Sequence, residues 1–201
     1  MILSLREIID ILIMTGFLGY LFMDMIRPRR DVSVLSMVDK GLDLRGMKKS
    51  MWWKDFKYAA AVLGPAIILH ELAHKFVAIG FGLDAQFYAF YASQTTLILG
   101  LIAVLAKLMG WGFFLIVPGF VRIFGGATPF ESTLIAFAGP AIHALFYLGC
   151  ILLTRYVTLT PRQRDFVAVT QKVNGFLFIF NMLPIPGFDG SKILSGLLGM
   201  L

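Results

Sequence analysis

His70, Glu71 and His74 belong to the pentapeptide His-Glu-Leu-Ala-His, two imidazoles four residues apart with a carboxylate beside the first. On a helix, positions i and i+4 share a face, so both rings can converge on one ion while Glu71 flanks the open coordination position. The chemistry this permits is zinc-assisted hydrolysis, in which the metal lowers the pKa of a water toward about 7 and the carboxylate takes its proton. The pentapeptide sits inside the apolar run from Tyr58 to Phe81. Two imidazoles and a carboxylate are costly at bilayer depth and mark function there. At 1.5 Å per residue His70 falls roughly 18 Å along that run, near the middle of a membrane span.

Catalytic zinc takes three protein ligands and keeps the fourth position for water, so one donor must come from elsewhere in the chain. An extended HExxHxxGxxH site would need Gly at 77 and His at 80, where this chain has Val77 and Gly80. Glu131 lies in the polar stretch TPFEST with no acidic helical neighbour, Asp165 in a charged segment, and Asp84 near the mouth of the same helix, away from a midplane site. Asp189 is the best-placed candidate. It belongs to NMLPIPGFDG, residues 181–190, where two prolines favour extended backbone and Gly187 and Gly190 allow tight turns. Irregular backbone of this kind survives at membrane depth only when buried in protein or lining a wet cavity. The plainer alternative makes Asp189 the N-cap of a last helix.

The elements that must hold these residues follow from hydropathy. The chain of 201 residues is 58% hydrophobic and 15% charged, against about a quarter charged in a soluble domain, so an integral membrane protein is expected, with no room for a separate soluble catalytic or peptide-binding domain. The net charge of +6 comes from basic residues clustered in Arg27–Lys57 and Arg155–Arg164, flanking apolar segments. That placement fits anionic lipid and the positive-inside pattern and excludes nucleic acid as the expected partner. Cys150 is the single cysteine, so no internal disulfide forms and a small core thiol is its expected role.

Ile8 to Ile26 reads as a retained first helix, since Glu7, Asp10 and Asp24 flank or interrupt it and no cleavage signal follows. The polar segment to Lys57 ends with Trp52-Trp53, an interfacial anchor ahead of the second span, Tyr58–Phe81, which contains Pro65. Gly82 to Gln94 alternates in a way that fits a strand. Thr96 to Phe124 is broken by Lys107, Gly110, Gly112, Pro118 and Gly119, and reads either as one irregular span or as a hairpin of two short helices. The charge pattern favours a re-entrant hairpin. Leu134–Leu153 is a further span, Phe166–Phe180 leads into the Asp189 loop, and Ser191–Leu201 is a short terminal helix. The expected fold is therefore an all-α polytopic membrane protein of about five to six transmembrane or re-entrant helices, with a short membrane-associated strand after the HExxH helix. Residues 1–57 form a first helix plus basic loop, and 58–201 the metalloprotease core.

HExxH within a span, followed far downstream by NxxPxPxxDG, resembles the site-2 protease family of intramembrane zinc metalloproteases. Gly125-Gly126 and Ala138-Gly139-Pro140 resemble that family's GG and AGP landmarks, and the likeness runs from about Tyr58 to Lys192. The resemblance implies one zinc ion held by His70, His74 and Asp189, with Glu71 as general base. It implies that Asn181 contacts the substrate or the reacting carbonyl, and that Leu83–Tyr91 is a strand whose free edge pairs with an unwound substrate. His143 stands where family members often carry Asn, three residues after the Pro of AGP. Its third imidazole fits an oxyanion donor, a group supporting the ligands, a competing ligand or a polar helix contact. The implied activity is endopeptidase cleavage in or near transmembrane segments of membrane proteins, as in regulated intramembrane proteolysis, by a multi-pass protein of the cell membrane whose partners are a transmembrane substrate and the lipid bilayer. A zinc protease of the prenyl-protein or quality-control kind needs Glu as third ligand. A non-catalytic or degenerate zinc-binding protein that holds transmembrane helices has no need of Glu71.

Overall fold

The structure, a computed structural model, describes residues 3–29, 44–111 and 119–201, with the side chains of 44–49 left aside. Among these residues there are six helices and one two-stranded sheet: α1 (Leu5–Phe22), α2 (Leu44–Gly80), β1 (Asp84–Tyr88), α3 (Gln94–Leu108), β2 (Phe120–Phe124), α4 (Pro129–Tyr156), α5 (Pro161–Asn181) and α6 (Asp189–Leu198). Residues 30–43 of the basic loop expected before the second span, and residues 112–118 with Gly112 and Pro118, lie outside the described residues.

Helix α2 is the spine. Its 37 residues run about 55 Å, and the segment read as a loop up to Lys57 is helical from Leu44. Among the described helices, α2 from Ser50 onward and α4 are long and apolar enough to cross a membrane. α2 packs against α1, α4 and the sheet, and α4 in turn carries α5 and α6. One apolar core joins Met14 and Leu18 of α1, Leu63, Ile67, Ile68 and Leu72 of α2, and Phe87 and Ala89 at and beyond the end of β1.

Local chemistry sets the helix starts. α1, α4 and α5 each open on a capping box, Ser4 with Glu7, Thr128 with Glu131 and Thr160 with Gln163, the last two with proline at the first helical position. These boxes satisfy backbone N–H groups that a helix start leaves unpaired. Glu131 is thereby occupied: its Oε2 accepts the Thr128 N–H at 2.7 Å, which removes it from the search for a third ligand.

The strand expected after the HExxH helix is β1, and it pairs antiparallel with β2, Gln86 opposite Arg122 and Phe87 opposite Val121. β2 corrects the reading of Thr96–Phe124. The first part is one helix, α3, while the end, Phe120-Val121-Arg122-Ile123-Phe124, is a strand closed by Gly125 at φ +110°. Its β-branched and aromatic run favours extended chain. β1 is also not the free edge it was expected to be. One side carries β2, and on the other the Phe87 N–H donates to Glu7 Oε1 of α1 at 2.9 Å. Phe87 therefore points its backbone groups away from β2, so in the antiparallel ladder Val121 and Ile123 point theirs away from β1. Among the described residues, the edge of this sheet that carries no such contact is that of β2.

Candidate metal centre and active site

His70 and His74 stand one turn apart on α2, and Asp189 is the first residue of α6; all three are buried. Three ligand-type atoms meet here. His70 Nε2 lies 3.1 Å and His74 Nε2 3.2 Å from Asp189 Oδ2, and the two Nε2 atoms are 3.1 Å apart. A tetrahedral zinc ion with donors at about 2.0–2.1 Å holds them about 3.3 Å apart, so the triangle has the size of a three-ligand zinc face.

The donor set suits a bound cation. His74 Nδ1 lies 2.6 Å from the Ile135 carbonyl of α4, which can only accept, so that nitrogen carries a proton, and in the neutral ring Nε2 turns a lone pair toward Asp189. A bare nitrogen facing a carboxylate oxygen is repulsive unless positive charge sits between them. The contact to Ile135 also fixes the ring's tautomer and orientation, the usual arrangement behind a ligating histidine. His70 Nδ1 is buried without a hydrogen-bond partner among the described residues.

Backbone makes the close approach possible. Gly139 of α4 lies over both rings, and a Cβ there would fall 2.5 Å from His70 Cε1 and 2.6 Å from His74 Cε1, so only glycine lets α4 come this near. Gly190, the residue after Asp189, packs against the Met182 and Leu183 carbonyls at the end of α5, and Gly187 turns the chain at φ +99°. Asp189 is not an N-cap. The cap position is Phe188, with no side-chain bond, which leaves the Asp189 carboxylate directed at the imidazoles, its Oδ1 lying 3.6 Å from Lys192 Nζ.

A cavity of about 790 Å³ opens onto this centre. Glu71, half-buried, lines it together with Asn181, His143, the β2 residues Phe120, Val121 and Ile123, and Lys192. His143 is buried, its ring centroid 4.7 Å from that of His70, and its Nδ1 is 3.0 Å from Asn174 Oδ1. Asn174 donates its Nδ2 to the Thr170 carbonyl at 2.9 Å, which assigns Oδ1 as the atom facing His143. The proton of a neutral His143 thus lies on Nδ1, and its Nε2 is an acceptor. This imidazole stands beside the donor triangle and outside it.

Sequence reasoning missed four participants: the Ile135 carbonyl, Asn174, Lys192 and the steric role of Gly139, which had served only as a landmark of AGP. Gly139 had a signal in that motif. Lys192 stands three residues after Asp189 on the same helix, a spacing that could have shown it, whereas Ile135 and Asn174 act across distances in sequence that no spacing rule reaches.

A buried carboxylate closing a pair of HExxH imidazoles, with a glutamate at the cavity wall, defines the zinc hydrolase class. Comparison with known proteins agrees. A protein of Methanocaldococcus jannaschii is 37% identical over 144 residues, 70% of either chain. One of Bacillus subtilis is 27% identical over 156 residues, 70% of this chain and 68% of that one, and one of Synechocystis is 24% identical over 138 residues, 69% of this chain and 30% of a longer relative. All three bear the name "Putative zinc metalloprotease". The chain belongs to this zinc metalloprotease family. No family model matches it, and no solved structure does.

Proposed function

We propose that this zinc metalloprotease is of the site-2 protease type, an intramembrane endopeptidase that hydrolyses peptide bonds in or near transmembrane segments of other membrane proteins. The observation that carries the reading is the position of the centre: His70, Glu71 and His74 lie within the 31-residue apolar stretch Ser50–Gly80 of α2. The outer surface supports it. α3 exposes Ile98, Leu101, Ile102, Leu105 and Leu108, and α4 exposes Phe137, Leu145, Leu148 and Leu152, an apolar surface larger than soluble proteins leave to water. Lipid is the solvent such faces fit, and a multi-pass protein of the cell membrane is the corresponding location.

Zinc held by His70, His74 and Asp189 supplies Lewis acidity toward a water and a peptide carbonyl. Glu71, at the cavity wall, takes the proton of the attacking water and returns it to the leaving amine. The Asn181 amide donates to the carbonyl oxygen as it becomes negative. Neutral His143 is not that donor, because its only N–H is committed to Asn174; its role is to pack against His70 and present an acceptor to the cavity. A helical substrate hides its carbonyls in i to i+4 bonds. Once unwound, it can pair with the outer edge of β2, whose Val121 and Ile123 line the cavity.

The test is cleavage of a synthetic leucine-rich transmembrane peptide with a central Gly-Pro by the purified chain in liposomes. Product termini should map inside the apolar segment. Glu71→Gln should keep zinc and lower kcat by about 10²–10⁴-fold. A wild-type chain that cuts only soluble peptides, or a Glu71→Gln variant of full activity, would overturn the reading.

A further inference from the structure

Lys75 follows the ligand His74 and stands one turn past Glu71 on the same face of α2. Its side chain is 2% exposed and forms an ion pair with Glu7 of α1, whose side chain is 3% exposed. Glu7 is a junction. Besides Lys75 it accepts the Phe87 N–H of β1 at 2.9 Å and the Ser4 N–H at 2.8 Å. Three elements therefore meet at one carboxylate: the start of α1, the catalytic helix and the strand that carries β2. Neither Glu7 nor Lys75 lines the cavity, so neither touches a reacting group.

A buried ion pair is a poor source of stability, because desolvation offsets the attraction. Its directional bonds do fix geometry. The chain from Lys75 through Glu7 to the Phe87 N–H is a rigid polar link between α2 and the sheet. β2 is held to β1 in a set register, Phe87 opposite Val121. Beside the direct packing of α2 on both strands, Glu7 thus gives Val121 and Ile123 a second, polar tie to the helix that carries Glu71.

We propose that the Glu7–Lys75 pair is a positioning device that fixes the register between the sheet edge and Glu71, and with it which bond of an extended substrate is cut. This rests on the reading that an unwound transmembrane segment pairs with β2. Single substitutions leave a buried charge alone and risk misfolding, so the decisive variant is Glu7→Gln with Lys75→Met. That double variant removes both charges while Gln keeps an acceptor for Phe87.

With the full chain in liposomes and the same leucine-rich Gly-Pro peptide, product mapping by mass spectrometry should show one principal cleavage site for wild type. The double variant should retain one zinc per chain, spread cleavage over neighbouring bonds and lose about 10–100-fold in kcat/KM, the scale of an ångström of misplacement. Amide exchange should rise in β1 and β2 and stay unchanged around His70 and His74. A double variant that cuts the same single bond with wild-type kcat/KM, or whose β1 amides exchange as in wild type, would overturn the proposal. Failure of wild type to cut the peptide, with exchange in β1 raised as expected in the variant, would instead sink the substrate reading and leave the mechanical link standing.

Discussion

His74 and Lys75 are neighbours on α2, yet they belong to two buried polar clusters of opposite character. The first, His70, His74 and Asp189, is a set of electron-pair donors 3.1–3.2 Å apart with the His74 ring proton turned away to Ile135. It is closed by an added positive charge, a metal ion or a second proton on an imidazole. The second, Glu7 and Lys75 with the Phe87 N–H, matches charge to charge and donor to acceptor. It closes by itself. Burial alone therefore does not identify a ligand site; the balance of donors, acceptors and charge does.

That contrast can be broken by experiment. The largest effect is expected for Glu7→Ala, which leaves Lys75 charged and buried without its partner. Stability should fall by about 3–5 kcal/mol, read by thermal unfolding in detergent, while the folded fraction still binds zinc. Loss of zinc from folded Glu7→Ala protein would show the clusters to be one. Gly139→Ala should act on the other cluster. A methyl group against both imidazoles forces α4 away from α2 at a cost of about 1–3 kcal/mol, and competition with a chelator should show weakened zinc, since the Ile135 contact that orients His74 moves with it. Zinc affinity equal to wild type would mean that α4 does not shape the centre. The smallest effect is expected at an ion pair of a third kind, Lys107 with Asp24, which is 55% exposed. Asp24→Asn should change stability by less than about 1 kcal/mol, and a larger loss would show that exposure is a poor guide to the worth of these pairs.

The two clusters also differ in how far the sequence disclosed them. His70, Glu71 and His74 were legible because helical geometry turns a spacing of four into a shared face. Asp189 was reached because few other donors remained and because prolines and glycines around it announce irregular backbone. Glu7 showed only its local use: Ser4 and Glu7 spell a capping box, and the same carboxylate's bond to a lysine 68 residues away has no local signature. β1 was visible in its alternation. β2 was not, because the β-branched and aromatic signal of Phe120–Phe124 is only five residues long and closes a longer apolar run that reads as helix. That β1 has β2 on one side and Glu7 at its Phe87 N–H on the other is a matter of pairing that only tertiary contacts decide.

The central claim is that Asp189 completes a zinc centre with His70 and His74. Zinc absorption spectroscopy on the purified chain, beside Asp189→Ala, tests it most directly. Two imidazole nitrogens and a carboxylate oxygen are expected at about 2.0–2.2 Å in wild type, with loss of the oxygen donor and weakened metal retention in the variant. An unchanged spectrum and unchanged zinc content in Asp189→Ala would contradict it.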